Sequence, residues 1–281
     1  MALRKRHILL IVALLLAFIG MATAAISILN GNVISPSESL DIDAYKISGI
    51  DVSAHNGNID FAKARAAGTE FVFVKATEGA TFRDSAMNSN LRKAHEAGLK
   101  TGVYHFFRFD VDGVKQAHNL LKAIAGRPLS LPLVIDVESH TNPYTPADIV
   151  TRKIHDMVDE LTAYGYPVII YSNKKGFDNH VRDEFADCGV WLCSFTQPNR
   201  GKNWTFWQYS HKGSIPGIDS DVDLDLWHGT ASEWQQYTAK TEIKDISGER
   251  ISGYALVTQY SPNDELLEIE MSEFEVKADE K

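Results

Sequence analysis

Cysteine is scarce in this sequence of 281 residues, which contains only Cys188 and Cys193. Two cysteines are too few for a disulfide-stabilised scaffold. They are separated by five positions, and the apolar run Val190–Phe195 is typical of a strand, in which five steps span about 16 Å. A disulfide needs Cα atoms within about 7 Å of each other. We therefore expect two buried free thiols.

Positive charge is also in short supply. The chain has 28 Lys and Arg against 37 Asp and Glu, a formal net charge of -9, and this balance argues against a nucleic-acid-binding face. Residues 241–281 carry eleven acidic and four basic side chains, so most of the negative charge lies there. Hydrophobic residues make up 44% and charged residues 23%, close to globular averages, which excludes a disordered or fibrous chain.

Common motifs for nucleotides and for zinc are absent from the sequence. It contains no Gly-x-Gly-x-x-Gly loop, no phosphate-binding loop and no His-Glu-x-x-His pair, and these are the patterns that hold dinucleotides, nucleotide phosphates and catalytic zinc. We therefore expect no cofactor and no metal. His55, His105 and His140 fall at predicted strand ends beside carboxylates, so a metal site is kept as an alternative.

A targeting segment occupies residues 1–29. The basic triplet Arg4–Arg6 precedes an apolar run, Ile8–Leu29, which contains the small-residue triplet Ala22–Ala24. These features match a cleavable secretory signal, and the run is also long enough to span a bilayer as a single uncleaved anchor. In both cases we expect the rest of the chain to be exported. The polar, turn-rich residues 30–45 indicate a linker.

Strand-like and helix-like segments alternate from residue 46 onward. The predicted strands are Ile47–Ser53, Phe71–Ala76, Lys100–Phe107, Leu131–Glu138, Pro167–Ser172, Val190–Phe195, Trp204–Ser210 and Val222–Trp227. The predicted helices are Ile59–Ala67, Asp84–Ala97, Val114–Ala125, Pro146–Tyr164 and Lys175–Phe185. Five strand–helix units followed by strands without helices predict an α/β barrel, because eight strands close a small barrel with a packed interior. An open doubly wound sheet is the alternative, and the last strands fit it poorly.

Short signals refine the predicted boundaries. Gly98 and Gly165 stand where helix C-caps are expected, just before the next strand. Thr145 is expected to cap the fourth helix, with Pro146 as its first residue. Residues 231–281 show only weak alternation, at Ile251–Gln259 and Leu266–Met271. We predict that they form a small acidic appendage with one to three short strands.

Carboxylates lie where the predicted strands end. Asp51 ends the first strand, Asp136 and Glu138 end the fourth, and Asp223 and Asp225 lie in the eighth. The carboxyl ends of barrel strands share one rim, and the strand period of two places Asp136 and Glu138 on the same face. Crowded carboxylates cannot all ionise cheaply, so at least one should have a raised pKa and act as a proton donor. A proton donor beside an ionised carboxylate is the apparatus of glycoside hydrolysis.

Aromatic and amide side chains accompany these acids at the strand ends. Tyr104 and Phe106 end the third predicted strand, Tyr171 ends the fifth, and Trp207 and Gln208 lie in the seventh. Flat rings at such positions can stack on sugar faces, and amides can orient a sugar. Because successive strand residues alternate between faces, about half of such a set belongs to the core.

Several motifs occur together across residues 46–228. They are Gly49–Ser53, His55–Gly57, Ile59–Phe61, Phe73–Gly79, Gly102–Phe106, Asp136–Glu138, Trp207–Ser210, Gly217–Ile218 and Val222–Asp223. In this order they resemble the glycoside hydrolase family 25 lysozymes. The resemblance implies a TIM-like (β/α)5(β)3 barrel and N-acetylmuramidase activity on the β-1,4 bond between N-acetylmuramic acid and N-acetylglucosamine. The expected partner is then the glycan strand of peptidoglycan, and we expect a monomer.

The resemblance also implies roles for single residues. Glu138 matches the family's general acid. Asp136 matches the partner carboxylate, which either stabilises an oxocarbenium-like transition state or orients the substrate's acetamido group as an internal nucleophile. Asp51 and Asp223 match two further acids of the site. The expected substrate-binding residues are Lys75, Glu78, Tyr104, Phe106, Tyr171, Trp207 and Gln208.

The sequence departs from the family pattern at three positions. Asp225 stands where the family usually has Asn, Asn56 where Gln is common, and Cys193 where a small residue such as Ala is usual. None of these changes removes an expected catalytic carboxylate. The second hypothesis is a non-catalytic peptidoglycan-binding module, and the third is a metal-dependent hydrolase. Under this third hypothesis, the metal ion would be bound by Asp51, Asp136, Glu138 and Asp223.

Overall fold

The computed structural model describes residues 40–182, 184–198 and 204–241. The targeting segment at residues 1–29 and the strands expected at Ile251–Gln259 and Leu266–Met271 lie outside the described residues. The described residues from Asp41 onward belong to one compact unit. Within these ranges no helix combines the length and the apolar character needed to cross a bilayer.

Strands of the described chain form one sheet, and eight of them close into a barrel. The strand bounds are β1 Ser48–Val52, β2 Thr69–Glu78, β3 Phe82–Arg83, β4 Lys100–Phe106, β5 Leu133–Asp136, β6 Val168–Asn173, β7 Gly189–Cys193, β8 Phe206–Gly213 and β9 Val222–Trp227. The short β3 pairs only with the end of β2. The closed eight-stranded α/β barrel predicted from the sequence is therefore confirmed.

Strand order and direction decide which residues meet at each rim. Around the barrel the order is β1, β2, β4, β5, β6, β7, β8 and β9, and β9 pairs again with β1. Neighbours from β1 to β8 are parallel. The last strand, β9, is antiparallel to both β8 and β1, since a short loop joins β8 to β9 without a crossover helix. The first residues of β9 therefore lie at the rim where the parallel strands end.

Helices cover the outside of the barrel. Their bounds are α1 Phe61–Ala66, α2 Met87–Glu96, α3 Gly113–Ile124, α4 Ala147–Ala163 and α5 Ala231–Thr241. Gly98 and Gly165 follow the ends of α2 and α4 with φ of 79° and 80°, a backbone conformation that only glycine adopts without strain. The start of α4 differs from the prediction. Pro146 is its N-cap, and the Thr145 hydroxyl donates to the carbonyl of Pro143 at 3.4 Å instead of capping the helix.

The predicted helix Lys175–Phe185 is confirmed only in its first part, because the helical backbone ends at Val181. A single helical turn, Lys174–Gly176, leads directly into a π-helical turn, Phe177–Val181. A Cβ atom at Gly176 would lie 2.2 Å from the hydroxyl oxygen of Ser172. This connection therefore packs directly against the end of β6, and that contact rather than helical periodicity determines its shape.

Residues 231–241 form the helix α5, which was not predicted from the sequence. Thr230 and Glu233 form a capping box: the Glu233 N–H donates to Thr230 Oγ1 at 3.2 Å, and the Thr230 N–H donates to Glu233 Oε2 at 2.7 Å. Thr-x-x-Glu is a helix-start signal that the sequence contains and the prediction missed. Trp234 is buried, with its ring 5.4 Å from Phe71 and 5.3 Å from Trp227. Helix α5 therefore packs against the amino-terminal end of the barrel.

Aromatic rings fill the interior at that end. Phe73 lies with its ring 4.6 Å from Trp191 and 5.1 Å from Phe206, and all three side chains are buried. Phe71 and Trp227 belong to the same apolar cluster. Above this layer the inward-facing residues are largely polar, and the cavity described next lies there.

Candidate active site

A cavity of about 450 Å³ opens at the rim where the parallel strands end. This volume lies within the usual range for small-molecule pockets. The cavity is lined by Asp51, Lys75, Tyr104, Phe106, Asp136, Glu138, Tyr171, Asn173, Trp191, Cys193, Phe195, Gln208, His211 and Asp223. The lining combines several carboxylates with aromatic rings, which is a composition suited to a sugar ligand.

Four carboxyl groups reach this cavity, two from the neighbouring strands β1 and β9 and two from the end of β5, on the far side of the barrel. Asp51 lies on β1, and Asp136 is the last residue of β5. Glu138 follows two positions later and faces the same side, as the strand period predicts. Asp223, near the start of the antiparallel β9, pairs directly with Asp51. The structure thus brings together the four acids that the sequence placed at strand ends.

A chain of hydrogen bonds links three strands across the cavity wall. The Tyr171 hydroxyl donates to Gln208 Oε1 at 2.9 Å, and Gln208 Nε2 donates to Asp51 Oδ2 at 2.7 Å. Because its oxygen accepts from the tyrosine, the Gln208 amide must turn its N–H toward Asp51. The carboxyl group of Asp51 is therefore held in a defined orientation.

Burial makes Asp51 and Asp223 reluctant to ionise. It raises the pKa of Asp51 well above the usual value, and repulsion from Asp223 adds to the effect, while the hydrogen bond from Gln208 opposes it. Burial also raises the pKa of Asp223, and the nearby His211 opposes that shift. These acids therefore hold their protons to higher pH than free carboxyl groups do.

From the sequence we expect an ionised Asp136 beside a protonated Glu138. In the structure the pKa values of both carboxyl groups are raised. Burial and then repulsion from Glu138 raise the pKa of Asp136 well above its usual value, with Lys75 opposing. Burial raises the pKa of Glu138 as well, with His140 opposing. The structure thus raises both pKa values rather than that of Glu138 alone, because both side chains are removed from water at the same rim. Such a pair titrates as a unit.

Lys75 is the basic side chain of the cavity wall. Its Nζ lies 2.9 Å from Glu78 Oε2 and sits 5.2 Å from the ring centre of Phe106. Glu78 does not line the cavity. It lies between Lys75 and Arg108, whose Nη1 is 3.7 Å from Glu78 Oε1. Glu78 therefore holds Lys75 in place rather than facing the cavity itself.

Trp207 is the clearest correction to the expected substrate-binding set. It has no exposed surface, does not line the cavity, and donates from its indole N–H to the Ser194 carbonyl at 2.7 Å. Successive strand residues face opposite sides, so Gln208 points inward and Trp207 packs outside the barrel. Contact between Trp207 and a substrate in the cavity was therefore a wrong expectation. The other expected residues, apart from Glu78, line the cavity: Lys75, Tyr104, Phe106, Tyr171 and Gln208.

Some cavity residues were not singled out from the sequence. Asn173 follows Tyr171 by two positions, so strand alternation could have identified it. Trp191 and Cys193 share a face of β7 for the same reason. Phe195 and His211 lie together, with ring centres 4.6 Å apart, and no sequence signal connects them.

Both cysteines are free thiols, as their spacing predicts. They are half-buried rather than fully buried as expected. Burial raises the pKa of Cys188 to about 11 and that of Cys193 to about 12. A thiolate is the reactive form, so neither side chain is a nucleophile near neutral pH. Within residues 40–182, 184–198 and 204–241, no group of three or more His, Cys, Asp or Glu side chains is arranged to hold a metal ion.

The fold and the site together define a class of protein. A closed barrel whose carboxyl-end rim gathers buried acids and aromatic rings in one cleft has the apparatus of a glycoside hydrolase. Residues 50–218 match the family described as Glycosyl hydrolases family 25. The chain therefore belongs to this family, and the resemblance drawn from its motifs is confirmed.

Individual relatives agree with this assignment. The autolytic lysozyme of Clostridium acetobutylicum is 30% identical over 181 residues, which are 64% of this chain and 55% of that protein. Lysozyme M1 of Streptomyces globisporus is 28% identical over 207 residues, covering 68% of this chain and 70% of that protein. A solved family 25 glycosyl hydrolase from Bacillus anthracis has a TM-score of 0.66 and 31% identity, covering 73% of this chain and 100% of that one. The match thus spans about half the length of the clostridial lysozyme.

Proposed function

We propose that this protein is an exported lysozyme that cleaves the β-1,4 bond between N-acetylmuramic acid and N-acetylglucosamine in peptidoglycan. The observation that carries the proposal is the placement of Asp136 and Glu138 at the end of β5, inside a cavity that also holds Asp51 and Asp223. Membership of family 25 supports the reaction class. Two relatives are named as an autolytic lysozyme and a lysozyme, and these names support peptidoglycan as the polymer that is cleaved.

Glu138 is the proton donor in this proposal. Its carboxyl group lines the cavity, and burial raises its pKa, so it retains a proton at a pH where a free glutamate is ionised. It protonates the glycosidic oxygen while the bond from C1 to that oxygen breaks. The electrons of the bond leave with the oxygen, and the sugar ring develops positive charge at C1 and its ring oxygen.

Asp136 is the partner that meets this developing charge. Its carboxyl group lines the cavity, and its buried Oδ1 has no hydrogen-bond partner among the described residues, so no protein donor at that oxygen offsets the charge that the carboxylate presents to the sugar. As a carboxylate it either stabilises the oxocarbenium-like state directly or accepts a hydrogen bond from the substrate's acetamido N–H. In the second case the acetamido carbonyl oxygen attacks C1 as the bond from C1 to the leaving oxygen breaks. Lys75, which opposes the raised pKa of Asp136, favours the charged form.

The remaining cavity residues orient the sugar. Tyr104, Phe106 and Tyr171 provide aromatic surface in the cavity wall, on which the apolar faces of pyranose rings can stack. Gln208 fixes Asp51, and Asp223 lies opposite on the neighbouring strand. We assign Asp51 and Asp223 to binding and to electrostatic tuning of the Asp136–Glu138 pair.

Export is part of the proposal because the substrate lies outside the cytoplasm. Residues 1–29 have the pattern of a cleavable signal or of a single membrane anchor. In both forms the barrel is exported as a monomer into the periplasm, the cell envelope or the medium. Fractionation of expressing cells, followed by mass measurement of the mature N-terminus, distinguishes a cleaved from an anchored protein.

The experiment that tests the activity is mass spectrometry of products from defined peptidoglycan. A muramidase leaves N-acetylmuramic acid at the new reducing end, whereas a glucosaminidase leaves N-acetylglucosamine there. Binding to insoluble peptidoglycan without any new reducing ends would favour the alternative, a non-catalytic binding module. The four acids gathered in the cavity argue against that alternative, since a module that only binds has no use for a buried proton donor.

A further inference from the structure

Asp225 is a fifth carboxyl group inside the barrel, and it has no exposed surface. On β9 it lies opposite Gln208 of β8 and Gly49 of β1. Because Gly49 contributes no side chain, Asp225 faces Asp51 diagonally across the β1–β9 pair, and each of the two carboxyl groups affects the pKa of the other. Asp225 does not line the cavity. It therefore acts on a substrate through the cavity residues beside it, Asp51 and Trp191.

The donors around this carboxyl pair leave one oxygen unsatisfied. Trp191 Nε1 donates to Asp225 Oδ1 at 3.0 Å. Oδ2 of Asp225 is buried and has no donor among the described residues. The nearby Gln208 amide gives its N–H to Asp51 instead, at 2.7 Å. Two ionised carboxylates in contact would present only acceptors to each other, whereas one proton between them forms an O–H···O bond.

Neighbouring charges oppose ionisation of Asp225. Asp51 from β1 and Asp223 from its own strand both repel a further negative charge there. The titratable group facing it from β7 is Cys193, which is neutral in its ordinary form. Tyr209 of β8 lies beside Trp207 on the outer side of the barrel. Burial of a charge among these groups, without a cation beside it, is costly.

Within the pair, Asp51 is better suited to carry the negative charge. It accepts an N–H from Gln208 and lies at the cavity, whereas Asp225 is enclosed. Burial and the approach of Asp51 raise the pKa of Asp225. The hydrogen bond with Asp225 lowers the pKa of Asp51, opposing the larger effect of burial on that group. Because Asp51 lies at the cavity and Asp225 is fully enclosed, the negative charge is better placed on Asp51 and the shared proton on Asp225.

We propose that Asp225 is a positioning residue that carries a proton throughout the working pH range and donates it in a hydrogen bond to Asp51. Asp51 then accepts from Gln208 on one side and from Asp225 on the other, so its carboxylate is held as an oriented anion at the cavity. This inference rests on the proposed function for its effect on turnover. The location of the proton is independent of that function.

Two variants of the full-length protein test whether Asp225 is protonated or ionised. Asp225→Asn keeps an acceptor for Trp191 and supplies an amide N–H to Asp51, so it mimics the neutral acid. We expect kcat/KM within about threefold of the unmodified protein and both limbs of the pH profile unmoved, because the charge is unchanged. Asp225→Leu has a similar shape but no donor. Its kcat/KM should fall about tenfold or more, as expected for a lost hydrogen bond to a charged group.

The direction of the pH shift distinguishes positioning from a merely structural role. Without the donor, the pKa of Asp51 rises, so the acidic limb of the Asp225→Leu profile should move to higher pH. If Asp225 were ionised, Asp225→Asn would remove a negative charge beside Asp51 and Asp223. The pKa values of these acids would then fall, and the acidic limb would move to lower pH. That result would overturn the proposal.

Infrared spectroscopy tests the proton without requiring activity. The spectrum near neutral pH should contain, in addition to any band from Glu138, a protonated-carboxyl C=O band that is lost in Asp225→Asn. The band should also be lost in Asp51→Asn, because an amide at position 51 can donate to an ionised Asp225. Asp187→Asn, at an exposed aspartate, is the matched control and should leave the spectrum unchanged. If Asp225→Asn lost no protonated-carboxyl intensity relative to the unmodified protein, the proposal would be contradicted. Failure to cleave peptidoglycan with the Asp225 band behaving as expected would contradict only the proposed function.

Discussion

The side-chain amide of Gln208 donates a 2.7 Å hydrogen bond to Asp51 Oδ2, although the two residues are 157 positions apart in the chain. The bond crosses from β8 over β9 to β1, so it depends on closure of the barrel. It also stabilises the ionised form of a carboxyl group whose pKa is otherwise raised by burial. Gln208 therefore connects the fold directly to the charge state of the site.

Replacing Gln208 with Leu should lower activity and shift its pH dependence. Asp51 loses an N–H donor, so its pKa rises further and the acidic limb of kcat/KM moves to higher pH. A lost hydrogen bond to a charged group corresponds to about tenfold or more in kcat/KM. Gln235→Leu, at an exposed position of α5, is the matched control. If the acidic limb of Gln208→Leu did not move, the hydrogen bond from Gln208 would not control the pKa of Asp51.

Replacing Glu138 with Gln should abolish nearly all turnover without unfolding the protein. Glutamine has the same shape but cannot donate the required proton, and general acid catalysis contributes about 10²–10⁴ in rate. Release of reducing ends from purified cell walls measures the loss, and a thermal melt checks the fold. Glu96→Gln, on the exposed face of α2, should retain full activity. Turnover by Glu138→Gln at the level of that control would refute the assignment of the acid.

The pH profile of activity should be bell-shaped, with its optimum on the acidic side of neutrality. The proton donor must remain protonated, so activity falls as pH rises through the raised pKa of Glu138. A partner carboxylate must be ionised, so activity also falls at low pH. The two limbs report the coupled group rather than single residues. Rates on a soluble peptidoglycan fragment between about pH 3 and 9 test this, and a profile that stays flat to the alkaline end would exclude a raised-pKa acid.

Stability should decrease as the pH rises from mildly acidic values. The pKa values of Asp51, Asp136 and Asp225 are raised well above the usual value in the folded protein. The stability associated with such groups is fully present below the unfolded-state pKa of about 3.9 and is lost as pH rises toward the folded-state values. Denaturant unfolding across this window measures the slope. Asp225→Asn should reduce the slope by up to about 1.4 kcal/mol per pH unit, whereas Asp187→Asn should not change it.

Truncating Trp234 to Ala should destabilise the barrel substantially. The side chain is 5% exposed and packs against Phe71 and Trp227 at the amino-terminal end of the barrel. Removal of a buried tryptophan typically costs about 3–5 kcal/mol. Gln235→Ala, on the exposed side of the same helix, should change the free energy of unfolding by less than about 0.5 kcal/mol. Equal melting temperatures for the two variants would show that α5 is not part of the folded core.

Much of the barrel could be predicted from the sequence because its signals are local. Strand alternation, glycines after helices and the order of segments each depend on a few neighbouring residues, and they located the eight barrel strands and the first four helices. The same period of two placed Asp136 and Glu138 on one face. Local signals also exist for α5, in Thr230 and Glu233, but the prediction missed them.

Only the tertiary structure decided which side chains meet and in what state of charge. The inward face of β8 belongs to Gln208 and not to Trp207, and this follows from how the strand is seated in the barrel. The contact between Asp51 and Asp225 requires β9 to run antiparallel beside β1. Burial and repulsion from distant strands raise the pKa of the acids at this rim. A linear sequence records the carboxyl groups, but desolvation and pairing depend on neighbours that only closure of the barrel brings into contact.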